Sequence, residues 1–207
     1  MNVDNIYCQY LREADVKKAV YEWWARLVDD PVVREQKLQA WPRGDRALLR
    51  RAHTPDDALF SDGFRKLWFA LPSDRRNSRD MQAWGCVATV LAEVKTHDPE
   101  REFAACLAKE QKSQGQGTGK PCVSELRFAQ LQRSNDIFEL QRRLRRLVIM
   151  VDGKVNVISL ADGVLQWHRE KSGYFEPRPE RRLSVRWATA YFSELARYQR
   201  IQTTATN

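Results

Sequence analysis

The amino-acid sequence predicts an all-α fold, a two-lobed helical bundle of about eight or nine helices, and three observations carry that expectation. Apolar residues recur at i, i+3, i+4 and i+7 in one stretch after another, the spacing of a single helix face. Glycine and proline are scarce, at 9 and 8 of 207 residues, and no tight-turn dipeptide joins two alternating apolar runs, so no β-hairpin is anticipated. One stretch, KSQGQGTGKP at residues 112–121, has no apolar side chain. It divides the chain into an N-terminal helical lobe at 1–111, a flexible Gly-rich connection at 112–122 and a basic C-terminal helical lobe at 123–207.

In chain order, the first helix lies between Asp15 and Val28, with Val16, Ala19, Val20, Trp23 and Leu27 on one stripe. Trp23 and Trp24 read as core anchors rather than platforms for stacking bases. A short helix follows in DRALLRR, where Asp45 is placed to cap and Pro55 to stop, and its apolar side is accompanied by Arg46, Arg50 and Arg51. SDGFRKLWFAL makes another helix, ended by Pro72. RDMQAWGCVATVLAEVK and PEREFAACLAKEQK make two more, the latter with Pro99 in its first turn. Beyond the connection, SELRFAQLQRS precedes DIFELQRRLRRLVIMVDGK, in which Ile137, Leu140, Leu144, Leu147, Val148 and Val151 mark one face. VNVISLADGVLQWHRE is β-branched at its start, yet Leu160, Val164 and Trp167 keep helical spacing. YFEPRPE is a loop, RRLSVRWATAYFSELARYQR is a long last helix, and the tail IQTTATN is expected to fray.

Composition narrows the function. No apolar run nears the roughly 20 residues that span a bilayer, and the first fifteen residues lack a signal-peptide layout, so a cytoplasmic protein without a membrane partner is expected. Four cysteines (8, 86, 106, 122) and three histidines (53, 97, 168) share no metal-ligand spacing. The cysteines read as reduced and mostly structural, and His53 and His168, beside charged residues, as surface side chains. Asp56 and Asp57 suit a helix cap better than a magnesium site. GQGTGKP departs from a phosphate-cradling loop: three residues separate Gly115 from Gly119, Pro121 follows Lys120, and a helix precedes it. No nucleophile with a base and no paired carboxylates stand at a recognisable spacing, so the chain is read as a non-enzyme with no cofactor and no metal.

Charge supplies the positive signal. The formal net charge is +8, but residues 1–119 hold 19 Lys and Arg against 18 Asp and Glu, whereas residues 120–207 hold 16 against 9. A basic excess confined to one region suits a polyanion. At about 100° per residue, Arg142, Arg145 and Arg146 fall away from the Leu140, Leu144, Leu147 face, with Arg143 at its flank. Glu139 is placed to neutralise Arg143 in part, while no acid lies between Gln141 and Val151 to pair the others. Planar guanidinium forks match phosphate oxygens, so this band reads as a surface that follows a nucleic-acid backbone.

The same segments carry a family likeness. SELRFAQLQRSND, LQRRLRRLVIMVDGKVNVISLADGVLQWHRE and RWATAYF resemble the signature blocks of the CasB family, the small subunit of the type I-E CRISPR surveillance complex Cascade, and ALLRRAHTPDD is similar to its N-terminal arginine block. Together the blocks cover about half of the chain, in the family's order. The resemblance implies two helical lobes, two copies packed end to end, and the backbone and large Cascade subunits as partners. It also implies contact with guide RNA, target strand and displaced strand, without sequence readout or cleavage, in antiviral defence. Carried over by position, it assigns nucleic-acid contacts to Arg51, Arg127, Arg133 and Arg146, with Arg50, Arg142, Arg145 and Lys154 adjacent. The connection around Gly115 and Gly119 and the insertion at 171–180 are longer than in compact members. The alternative is a helical DNA-binding transcriptional regulator, which needs a base-reading helix after a tight turn; RALLRRAHTPDD, followed by proline and two acids, fits that poorly. A nuclease ranks third, for want of a metal cluster.

Overall fold

The structure, a computed structural model, describes residues 7–205, and their side chains as far as residue 199. The expectation about the first residues therefore lies, for Met1–Ile6, outside the described part. Helices dominate the described residues: α1 (Ala14–Val28), α2 (Pro31–Glu35), α3 (Arg43–Arg51), α4 (Pro55–Leu59), α5 (Asp62–Ala70), α6 (Met81–Leu91), α7 (Phe103–Ala108), α8 (Glu125–Gln132), α9 (Ile137–Met150), α10 (Val157–Lys171) and α11 (Leu183–Ala205). That is eleven α-helices where eight or nine were expected, and the surplus consists of the single-turn α2 and α4. Each is started by local chemistry: Asp30 accepts from the Val32 N–H ahead of Pro31, and Thr54 with Asp57 forms a reciprocal capping box ahead of Pro55. The Thr54 N–H, donating to Asp57 Oδ2 at 2.9 Å, holds that carboxyl below its usual range.

The innermost helix is α10, in which Val157 to Trp167 are buried without a break. A helix buried all round packs against neighbours on every side; here these are α1, α6, α7 and α11. Its one buried charge, Asp162, is fully enclosed. It accepts the backbone N–H groups of Gln9 (3.0 Å), Tyr10 (2.6 Å) and Leu11 (2.8 Å) and pairs with Arg186 Nη1 of α11 at 3.1 Å. The N-terminal segment and the last helix are thereby tied to the centre. Gly163 follows, where an added Cβ would stand 2.7 Å from the Trp187 indole, so the absent side chain is what lets α11 lie close. Buried residues from both sides of the 112–122 stretch belong to one contiguous core. Trp23, which lies in the stripe, and Trp24 are both in it, the core anchors they were read as, with indole N–H groups donating to Gly63 O (2.9 Å) and Val94 O (3.4 Å). Cys8, Cys86 and Cys106 are buried as well, and burial pushes the Cys106 thiol up to about 12.

Four local expectations are corrected. Asp45 does not cap α3, whose N-cap is Pro42; it sits in the first turn, buried, and pairs with Lys66 of α5. Pro99 is not in the first turn of α7, because Asp98 accepts from Glu100 N and Arg101 in a turn that delays the helix to Phe103. The 112–121 stretch is an antiparallel hairpin, β2 (Glu110–Ser113) with β3 (Gln116–Pro121). Its two-residue loop has positive φ at Gln114 (50°) and Gly115 (83°), the combination a type I′ turn requires. The last helix continues through Ala205 instead of fraying at residue 201, and Thr206 and Asn207 lie outside the described residues. Two further short strands, β1 (Thr96–His97) and β4 (Lys154–Val155), pair in parallel and join the chain after α6 to the chain after α9.

Asp162→Ala leaves Arg186 buried without its partner and three N–H groups without an acceptor, so a loss of about 3–5 kcal/mol is expected. Equilibrium urea unfolding of the variant beside the parent measures it, and a loss under about 1 kcal/mol would show that water takes over the carboxylate's role.

Candidate nucleic-acid interface

The basic surface is built on α8 and α9. Phe128 and Leu131 anchor α8 in the core, Phe128 stacking on Tyr191 of α11 with centroids 4.2 Å apart and rings 9° from parallel. Arg127, one residue round the helix from Phe128, is left exposed. The start of α9 is fixed by Asp136, which accepts from Glu139 N at 2.7 Å, while Glu139 reaches back to Asn135 N at 2.8 Å. The apolar stripe of α9 is buried as read: Ile137, Leu140, Leu144, Leu147, Val148 and Val151 all face the core. Gln141 is buried too, donating to Thr89 Oγ1 of α6 at 2.8 Å.

Between the two helices runs a cleft of about 690 Å³, lined by Arg127 and Gln130 of α8 and by Glu139, Arg142, Arg143, Arg146, Leu147 and Met150 of α9. Arg142, Arg146 and Met150 are spaced i, i+4, i+8 and so form one row along it. The four arginines do not share one task. Arg143 is consumed by the scaffold: it pairs with Glu139 at 2.6 Å, as anticipated, and donates to Gln130 O and to Ser134 Oγ, locking α9 to the end of α8. Arg127, Arg142 and Arg146 have no ion-pair partner among the described residues and are exposed. They are held around one concave surface with their charge unspent.

The other sequence-derived candidates are distributed unevenly. Arg133 is exposed and terminates α8, its N–H donating to Ala129 O and Gln130 O, and its side chain is not among those lining the cleft. Arg51 is exposed at the end of α3, beside Leu48 and Phe60 in a separate shallow hollow. Arg50 and Arg145 instead converge on Glu93, which is 4% exposed at the end of α6: Arg50 Nε meets Oε2 at 2.8 Å, and Arg145 Nη2 meets Oε1 at 2.8 Å. Arg145 also donates to Ala52 O at 2.7 Å and to Arg50 O, closing the C-terminus of α3. Arg46 completes this brace, donating to Ala92 O (2.9 Å) and Val94 O (3.0 Å), and its desolvation lowers its pKa. Lys154 lies past the end of the cleft in a second recess of about 410 Å³; Met150 lines both.

Sequence reasoning missed Glu93. The available signal was a lone acid inside the apolar run ATVLAEV, a placement that demands a buried cation from elsewhere in the chain. Of the histidines weighed for chemistry, His53 is exposed, and His168 Nε2 lies 3.1 Å from Arg79 O and 4.0 Å from Asp80. No group of three or more His, Cys, Asp or Glu side chains that could hold a metal ion occurs among the described residues, and no described helix is long and apolar enough to cross a membrane.

This division separates two neighbours on α9. Arg145→Ala removes charged hydrogen bonds at a buried carboxylate and two carbonyls, and should cost about 1.5–3 kcal/mol. Arg146→Ala should stay within about 0.5 kcal/mol of the parent, as an exposed side chain without a partner does. Parallel thermal melts of the two variants check the contrast.

Comparison with known proteins bears on what these surfaces serve. The family model for the CRISPR-associated protein Cse2 matches residues 45–192, well over half of the chain, a span that holds the arginine cleft, the Glu93 brace and Lys154. No curated protein and no solved structure matches the chain. The signature blocks, the helical fold and the span of the family match agree: this chain belongs to the CRISPR-associated protein Cse2 family, the CasB-type small subunits of Cascade.

Proposed function

We propose that the chain is the non-catalytic small subunit of a type I-E surveillance complex, in the cytoplasm, and that it stabilises the R-loop by holding nucleic-acid backbone against a basic surface without reading sequence. The observation that carries this reading is the cleft between α8 and α9, where Arg127, Arg142 and Arg146 line a concave surface without an ion-pair partner among the described residues, the acid in its lining, Glu139, being engaged by Arg143. Guanidinium groups on a rigid helix, backed by a fully buried opposite face, meet phosphates without first being freed from other partners. Salt-dependent attraction to every sequence alike is the behaviour such a surface supports, because phosphate contacts release counterions and carry no base information. Guide RNA paired with target DNA, and the displaced strand, are the polyanions the complex would present to it. The backbone and large subunits of Cascade and a second copy of the chain are its proposed protein partners, with the lobes at 1–111 and 123–207 as proposed units of assembly.

The transcriptional-regulator reading gains nothing from the structure. The helix after the arginine block, α4, has five residues, begins with proline and two acids, and is too short to lie in a major groove as a recognition helix.

Retention of target DNA by the reconstituted complex tests the proposal across a salt series. The Arg127→Ala/Arg142→Ala/Arg146→Ala variant should fold normally and flatten the dependence of log affinity on log salt by about three, one for each lost phosphate contact. Arg34→Ala on α2 serves as the control and should leave the slope unchanged. Unaltered retention by the triple variant would reduce the cleft to a solvated face. In magnesium or manganese buffer the purified chain should leave labelled strands intact; cleavage abolished by a point mutation in this chain would overturn the non-catalytic reading.

A further inference from the structure

The hairpin β2–β3 has no structural reason to exist that the core can supply. Residues 111–118 are all exposed, so neither face of the ribbon buries apolar surface, and an isolated two-stranded ribbon is marginal in water. Its base is nonetheless anchored: Cys122 N donates to Lys109 O at 2.8 Å and Val123 N to Leu107 O at 3.0 Å, and the type I′ loop sets its register. The side chains it presents are lysine, glutamine, serine and threonine, donors without an apolar patch. Such a surface suits a hydrated polyanion and offers nothing to an apolar protein face.

The position of the hairpin is as informative as its composition. With the end of α9 it encloses the 410 Å³ recess, into which Lys109, Lys112 and Lys154 bring three cations. Two acids line it as well. Glu110 is turned into the hairpin, where its Oε1 accepts from Gly119 N at 2.8 Å; Asp152 is exposed. Met150 is the shared wall between this recess and the arginine cleft. Arg142 and Met150 lie eight positions apart, about 12 Å of helix, so a backbone held in the cleft needs to run only about that far to reach the recess.

We infer that the recess between the β2–β3 hairpin and the end of α9 is a second phosphate-binding subsite, in which Lys112 and Lys154 grip the same nucleic-acid backbone after it leaves the arginine cleft across Met150. This rests on the nucleic-acid reading of the cleft. The hairpin then works as a guide rail that lengthens the track, and Asp152 weakens the grip.

Target-strand retention by the reconstituted complex, measured over a salt series, separates this inference from the reading beneath it. Lys112→Ala/Lys154→Ala should keep the parent's melting temperature and flatten the salt slope by about two. Asp152→Asn keeps a side chain that tolerates the positive φ of 55° and should tighten retention by about two- to fivefold at low salt, a gain that misfolding cannot produce. A weakened arginine variant alongside parent-like behaviour of both recess variants would overturn the subsite and leave the cleft standing. Parent-like behaviour of all three would overturn both. A lysine effect without an arginine effect would break the continuous track.

Discussion

One buried carboxylate joins the arginine-bearing helices α3 and α9 to the core. Glu93 sits at the end of α6 with almost no exposure, and an ionised acid there is tolerable only when cations and donors surround it. Arg50 from α3 and Arg145 from α9 supply the charge. Arg145 then spends its remaining donors on the end of α3, so three helices distant in sequence share one electrostatic joint. The angle at which α9 leaves the core is set there, and with it the line along which Arg142 and Arg146 project. Arg145 gives all three of its guanidinium nitrogens to this joint, whereas Arg50 meets Glu93 through Nε and remains exposed.

How far the sequence spoke for the structure depended on whether a residue's partners were near it in the chain. The buried stripe of α9 was legible from Ile137 to Val151, because helical spacing alone decides which side chains share a face. Glu139 with Arg143 was legible for the same reason. Arg145 looked unpaired because its acid lies 52 residues away. The hairpin escaped notice because its turn is Gln-Gly in place of Asn-Gly or Asp-Gly and its strands lack alternating apolar residues, the two signals by which hairpins are read. Asp45 and Pro99 show that a good cap or helix-starting residue yields to a tertiary partner or a tighter local turn. The family likeness came from blocks that straddle these features, which is why it survived the local corrections.

In the proposed role, rigidity matters more than the count of positive charges. Many basic proteins present lysines on flexible stems, each of which must be ordered on binding. Here the row Arg142, Arg146, Met150 rises from a helix whose opposite side is sealed, and Arg143 staples that helix to α8. The backbone entropy of placing the row is met when the chain folds, which leaves the ordering of the side chains as the cost at assembly.

The cysteines give the molecule an experimental property of its own. Cys8, Cys86 and Cys106 are buried and Cys122 is half-buried, and burial raises all four thiols, so the reactive thiolate is scarce at neutral pH. An electrophilic dye should therefore discriminate strongly in favour of any cysteine introduced on the outside. A fluorophore could be placed at the hairpin tip in an otherwise native chain, with a low background from the native cysteines, and the approach of a nucleic-acid strand followed by the light it quenches.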